Sequence, residues 1–323
     1  MPDSPSYRAR WYPWLMALGG ALMAGVGMIT FHLHSPFGIC DFDQIWEGAR
    51  ALLRGEDPYR VIGPGGPGLF RFPLFYPLTA PLVAIPFAFM PYQMARLTFA
   101  ALGGGVLGYA LGRYRPWAWP TFFGMPFLLA ARNAQWSPLL TAAILLPWLG
   151  VVAAAKPNMG LVVLAACRSR RAVLILLGGG LALLALSLAV RPAWPWEWID
   201  TLRTAEHFSP LALRPGGIIM LLALLRWRDP DARLLLALAL VPQTGFFYDA
   251  LPACLVARTR LQAAALALGT QVAGLCAGFF IAHDYREVTW KTGMLVLWGG
   301  LVPPLILVLR RGVRTQRPPA ASP

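Results

Sequence analysis

The chain has 323 residues, 57% of them hydrophobic and only 13% charged, with a formal net charge of +14 and a mean hydropathy of +0.56. A soluble domain carries about 25% charged residues, whereas the apolar runs here approach the ~20 residues that span a bilayer. Composition therefore excludes an ordinary soluble domain and predicts an all-α, polytopic membrane protein; a barrel is excluded because its alternating period is absent. The positive charge does not point to nucleic acid, since the arginines sit at the ends of apolar segments, as topology determinants do. Cys40, Cys167, Cys254 and Cys276 are scattered without CxxC spacing and suggest neither a disulfide framework nor a zinc site.

Arg8 and Arg10 precede the first apolar segment, 14–31, and place a short N-terminus (1–11) in the cytoplasm. No small-x-small cleavage site follows, so this segment is expected to stay as an anchor. Residues 34–70 then form a first outer loop. Within it, 41–53 has helical spacing, with Ile45, Ala49, Leu52 and Leu53 on one face and Asp43, Glu47, Arg50 and Arg54 largely opposite. That pattern predicts an amphipathic helix lying on the membrane surface. Gly55 and Pro58 end it, and the Gly/Pro run 63–68 reads as an irregular loop.

Spans at 72–90 and 92–111 follow, with Arg96 near the inner turn. The region 117–164 is broken by Pro126, Pro138, Pro147 and Pro157, and broken helices at membrane depth are tolerated where protein or a water-filled cavity surrounds them. Arg168, Arg170 and Arg171 mark the cytoplasm before a span at 172–190. A second outer loop, 191–215, is rich in tryptophan (Trp194, Trp196, Trp198). Segments at 216–225, 234–247, 251–257, 261–282 and 290–309 complete about ten or eleven spans, in one transmembrane domain over 12–310 with a basic cytoplasmic tail, 311–323.

Five of the fourteen acidic residues fall within 41–57. Carboxylates so close to a hydrocarbon core are costly unless they bind or react with something. Asp41 and Asp43 are the first candidates: at the outer surface, either can take a proton from an acceptor hydroxyl, or simply cap the next helix. Lys156, one of only two lysines, can bind a lipid phosphate or snorkel to a headgroup. Arg71 and Arg214 have two readings, a bidentate phosphate grip or an interfacial anchor. Gln135 and Asn133 can hydrogen-bond a sugar or satisfy backbone freed by a proline. Tyr248 and Asp249 can line the site or make a polar helix contact. His32, His34, Cys40 and Asp41 include metal-ligand types, yet their spacing matches no metal motif.

Asp41-Phe42, then Gly48-Ala49-Arg50-Ala51-Leu52-Leu53, then Gly55-x-Asp57-Pro58-Tyr59 resembles the first outer loop of glycosyltransferase family 87. Further elements follow in order: Phe75-Tyr76-Pro77, Ala134-Gln135, and Ala153-Ala154-Ala155-Lys156-Pro157. The resemblance covers roughly 12–166; beyond it only hydropathy and Tyr248-Asp249 fit. Leu78 stands where the family has a second proline, and Ala134 where it has glycine. The resemblance implies a GT-C fold and transfer of a hexose such as mannose from a polyprenyl-phosphate donor to a lipid or glycan acceptor on the outer face. By the spacing to Gly55 it aligns Asp41, with Asp43 second, with the catalytic aspartate, and it tips Lys156 towards the donor phosphate. Gln135, Tyr248 and Asp249 fall in its matching elements, and Arg71 and Arg214 join them as candidates for donor phosphate or substrate from their own surroundings. It implies no certain cofactor, and a divalent metal stays open. The rival is a transporter or lipid flippase, which inverted repeats and paired broken helices would favour; broken helices are visible in one half only, and the acids cluster at one surface.

Overall fold

The computed structural model describes residues 8–34, 38, 40–67, 72–204, 209–243, 245–278 and 284–311. In chain order its helices are α1 (Arg8–His34), α2 (Asp41–Leu53), α3 (Pro58–Val61), α4 (Thr79–Ala88), α5 (Tyr92–Tyr114), α6 (Met125–Arg132) and α7 (Ser137–Leu145). Then come α8 (Pro157–Ala165), α9 (Arg170–Val190), α10 (Trp194–Arg203), α11 (Pro230–Leu240), α12 (Arg260–Ala277), α13 (Tyr285–Leu295) and α14 (Val302–Leu309). Short 3-10 segments join several of them, and a π-helical segment, Val296–Leu301, joins α13 to α14. The structure is 80% helix, with no strand among the described residues.

Among the described residues, four helices are long and apolar enough to cross a membrane: Arg10–His34, Tyr92–Tyr114, Arg170–Val190 and Tyr285–Leu309. This is fewer than the ten or eleven spans expected from hydropathy. Prolines are one reason, because each removes a backbone donor and sterically stops the preceding turn; the expected spans 216–225 and 251–257 instead fall in the ten-residue 3-10 segments Gly217–Arg226 and Phe247–Val256, and 234–247 overlaps only the end of the eleven-residue α11. The expected span 72–90 shrinks to the ten residues of α4, and 117–164 divides into α6, α7, α8 and 3-10 segments that start at Pro116 and Pro147.

α1 and α5 run antiparallel in close contact. Glycine permits the approach: a Cβ on Gly104 would overlap the carbonyl oxygen of Gly20, and one on Gly108 that of Met16. Small residues that let backbones meet are how helices associate where the solvent is itself apolar. Tyr12 Oη donates to the carbonyl of Pro116 at 2.8 Å and fixes the register at the other end. The end of α1 and the start of α5 therefore lie at one pole of the molecule, with α2 beside them.

That register corrects the expectation for Arg96, which was placed near an inner turn, away from the acidic loop. Arg96 sits one turn into α5 and pairs with Asp43 of α2, so both lie at the same pole. Arg115, 19 residues on, is about 28 Å away at 1.5 Å per residue. There it meets a second set of charges. Arg168 and Arg311 bond Asp231, Arg311 also bonds Asp229, and Trp117 Nε1 donates to the carbonyl of Ala257. The molecule is polarised, with the acid-rich α2 at one end and an arginine cluster at the other.

α2 runs over the residues expected, yet it does not lie on a surface. Phe42 to Ala49 and Ala51 are buried, Asp43 and Glu47 included, and the exposed positions gather in the last turn at Arg50, Leu53 and Arg54. Phe42 stacks on Phe99 of α5 at 4.2 Å and meets Phe87 of α4 edge-on. Asp43, on its polar face, is met by Tyr92 and Arg96 of α5 rather than by water.

Candidate functional site

The N-terminus of α2 presents two aspartates, two residues apart, to different surroundings. Asp43 turns back: its carboxylate accepts the main-chain N–H of Cys40 at 2.7 Å, which caps the helix. It also accepts from the Cys40 thiol at 3.1 Å, from Tyr92 Oη at 2.8 Å and from Arg96 Nε at 2.6 Å, with a further bond from Arg96 Nη2. Arg96 completes the knot by donating to the carbonyl of Gly38 and by lying 3.9 Å from the Tyr92 ring centroid. Asp43 is 1% exposed and Arg96 2%. Burial raises the Asp43 carboxyl while Arg96 and Cys40 pull it down. With both oxygens taken by donors, it holds a helix in place and has no open face for a substrate's proton.

Asp41 turns forward and is only partly buried. Gln135 Nε2 donates to it, and Lys156 and Asp249 lie close enough to act on its charge. Burial pushes the Asp41 carboxyl above its ordinary range; Lys156 and the Gln135 bond pull it back down, and Asp249 pushes it up again. Lys156 Nζ donates to Asp249 Oδ1 at 2.7 Å and stands 5.3 Å from the Tyr248 ring centroid. Asp249 thus binds the ammonium directly, and Asp41 lies within reach of its charge.

Local chain breaks deliver these groups. Gln135 sits in the gap between α6 and α7, where Ala134 takes φ = 46°, the only positive φ on a non-glycine residue among those described. The gap turns the Gln135 amide towards α2, while Asn133 caps α6 by donating to the carbonyl of Leu129 at 2.9 Å. Lys156 occupies the break between a 3-10 segment, Pro147–Ala155, and α8, and Asp249 opens the 3-10 segment Phe247–Val256. Left-handed backbone costs an alanine roughly 1–2 kcal/mol. Ala134→Gly is accordingly expected to be neutral or stabilising by about 1 kcal/mol, and Ala134→Val clearly destabilising. A melting temperature that falls for the glycine variant would show that the turn carries no such strain.

Of the expected site residues, Asp41, Gln135, Lys156, Tyr248 and Asp249 come together. Asp43 stands behind them as a structural residue, and Arg71 lies outside the described residues. Arg214 is elsewhere, against α13, donating to the carbonyls of Thr289 and Trp290. Lys156 does not snorkel: its side chain is 12% exposed and ion-paired.

Two residues escaped the reading of the sequence. Arg96 was passed over as a topology marker, although an arginine within a span is itself a signal. Tyr76 has no role in the sequence reading beyond the Phe75-Tyr76-Pro77 element. Its buried ring lies near the charges of Asp41 and Asp249, and its main chain is tied down by Tyr59 Oη, which donates to the carbonyl of Tyr76. Trp198 Nε1 likewise donates to the carbonyl of Phe75, at 2.9 Å.

No group of three or more His, Cys, Asp or Glu able to hold a metal ion occurs among the described residues. Comparison with protein-family models, with curated proteins and with solved structures finds no match.

Proposed function

We propose that this chain is a membrane glycosyltransferase of the GT-C class, moving a hexose such as mannose from a polyprenyl-phosphate donor to a hydroxyl of a lipid or glycan acceptor. The observation that supports this best is the division of labour in α2: Asp43 does the capping and the ion pairing, and Asp41 is left for chemistry. Burial raises both carboxyls and strengthens either as a base, but only Asp41 keeps part of its surface open; proton transfer is most effective when the base's pKa lies near the working pH.

In this reading the acceptor oxygen attacks the anomeric carbon, its proton passes to Asp41, and the bond from that carbon to the phosphate oxygen breaks with inversion. Polyprenyl phosphate leaves with the electron pair. The Lys156 ammonium has three donors; Asp249 holds it in position with one, and the leaving phosphate takes another. Gln135 Oε1, buried without a partner, accepts a hydroxyl of the sugar or of the acceptor.

The direct test is purified protein in lipid vesicles with a polyprenyl-phosphate hexose and hydroxyl-bearing lipid acceptors. Release of polyprenyl phosphate in step with acceptor glycosylation is expected. Movement of intact donor across the vesicle, without cleavage, would sink the transferase in favour of a flippase.

Lys156 gives a second, sharper test. Lys156→Gln should weaken donor use by about 1.5–3 kcal/mol, the value of a charge-assisted contact. It should also move the acid limb of the rate profile to higher pH, because the charge that helps keep Asp41 ionised is gone. Asp249→Asn should move that limb to lower pH, since it removes a negative neighbour. Limbs that stay put in both variants would detach Asp41 from the rate.

For orientation, the arginine pole belongs in the cytoplasm by the positive-inside rule, with both termini there and the α2 pole outside. Asp43 is too buried to label, but Trp196 of α10 is 71% exposed. A cysteine at Trp196 should react with an impermeant maleimide added to intact cells. Reaction only after the cytoplasmic face is opened would invert the assignment.

A further inference from the structure

One buried arginine has no acid beside it. Arg214 is 3% exposed and makes no ion pair; its two hydrogen bonds, to the carbonyls of Thr289 at 3.0 Å and Trp290 at 2.9 Å, both come from Nη1. The guanidinium faces the Trp290 ring at 5.3 Å. Nε is buried with no partner at all.

Position and direction are fixed by packing. A Cβ on Gly293 would overlap Arg214 Nη1, and one on Gly245 would stand 3.0 Å from Nη2. The following backbone turns at Gly216, with φ = 75°, under Trp298. The slot therefore holds the guanidinium by one nitrogen and leaves the Nε–Nη2 edge without an acceptor. That edge carries two parallel N–H groups, the fork that grips carboxylate or phosphate. Arg54, Arg96 and Arg191 each turn the same edge to a carboxylate, that of Glu56, Asp43 and Glu197. A buried charge with no counter-charge is costly, and an anion is what would relieve it.

We propose that Arg214 is the core of a second anion site, one that takes a phosphate group on its Nε–Nη2 edge. The surroundings suit an amphiphile: Tyr285, Phe246 and Tyr248 form a row with centroids 6.2 and 5.6 Å apart, running from this region towards Lys156. The site stands on Arg214's own contacts, independent of the glycosyl-transfer reading. It is distinct from the Asp41 cluster, because its cation is held by α13.

The test is ligand-induced stabilisation of the full chain in detergent, with inorganic phosphate, dodecyl phosphate and, as neutral control, dodecanol. Dodecyl phosphate is expected to raise the melting temperature of the wild type, of Asp41→Asn and of Lys156→Gln. In the Lys156→Gln background, where the proposed donor contact is gone, adding Arg214→Gln should abolish the rise. Arg214→Lys keeps the charge without the fork, and should need about tenfold more ligand or beyond for the same rise, the loss of one charge-assisted bond; it also serves should the glutamine variant fail to fold. Stabilisation by dodecyl phosphate but not by inorganic phosphate assigns the site to a lipid headgroup, and equal stabilisation by both assigns it to free phosphate. No rise in the wild type, or a rise unchanged in both Arg214 variants, overturns the proposal. A response retained by Asp41→Asn and Lys156→Gln separates this site from the proposed reaction, so either can fail without the other.

Discussion

Asp41→Asn is expected to lower turnover by about 10²–10⁴-fold, the range a positioned general base supplies, and to leave the fold intact. The amide can still accept the Gln135 bond, and its neutrality leaves the Lys156–Asp249 pair balanced by itself. Sequence spacing alone makes Asp43→Asn the milder change. The structure alters the kind of damage expected there, since the asparagine would leave the Arg96 guanidinium buried against a neutral group. Turnover and melting temperature measured on both variants decide the matter. If Asp41→Asn keeps near-normal turnover while Asp43→Asn loses it without any loss of stability, the wrong carboxylate has been chosen.

Arg96→Leu should be the most destabilising single change at this pole. It would leave Asp43, 1% exposed, without its counter-charge, and breaking a buried pair from one side costs about 3–5 kcal/mol. Arg96→Lys should recover only part, because a single ammonium cannot reproduce the fork and also reach the carbonyl of Gly38. The double variant Arg96→Leu with Asp43→Asn should be more stable than the sum of the two predicts, since each removes what the other leaves unpaired. Thermal denaturation in detergent reads all three. Strict additivity would mean that the two side chains do not depend on each other, whatever their separation.

Much of the architecture was legible. Helix 41–53 has the bounds expected, and the segments 14–31, 92–111, 172–190 and 290–309 lie within α1, α5, α9 and the continuous helix Tyr285–Leu309. These have long uninterrupted apolar runs, and length is what hydropathy measures. It fails at 72–90 and 117–164, where prolines set the element length, and at 216–257, where the apolar stretches form elements of only ten or eleven residues. The surface placement of α2 failed for a different reason. A polar face looks the same in sequence whether it meets water or a buried arginine on another helix.

The site shows the same division. Asp41, Gln135, Lys156 and Asp249 were each visible as polar residues in apolar surroundings, but their partnerships were not: Asp41 to Gln135 spans 94 residues and Lys156 to Asp249 spans 93. Arg96 was misplaced because charge counting treats every arginine as solvated. Paired with Asp43 it contributes little net charge, and it says nothing about sidedness. Arg214 was recorded as a phosphate grip or an anchor, and nothing local to it predicts a slot made by Gly293, almost eighty residues later.

The tie between the segment after α2 and α10 bears on how the protein is made. Arg191 bonds both Asp57 and Glu197, and Trp198 of α10 bonds the carbonyl beside Tyr76. The stretch from α2 to α8 contains nearly every recognisable motif, yet its polar groups are incomplete until α10 and residue 249 have left the ribosome. A nascent chain ending at 204 would hold Lys156 with no Asp249 to pair it. Synthesis order thus creates an interval in which unpaired charges sit in an unfinished membrane domain. During that interval an insertase or another chaperone has something to shield, and a quality-control protease has something to recognise.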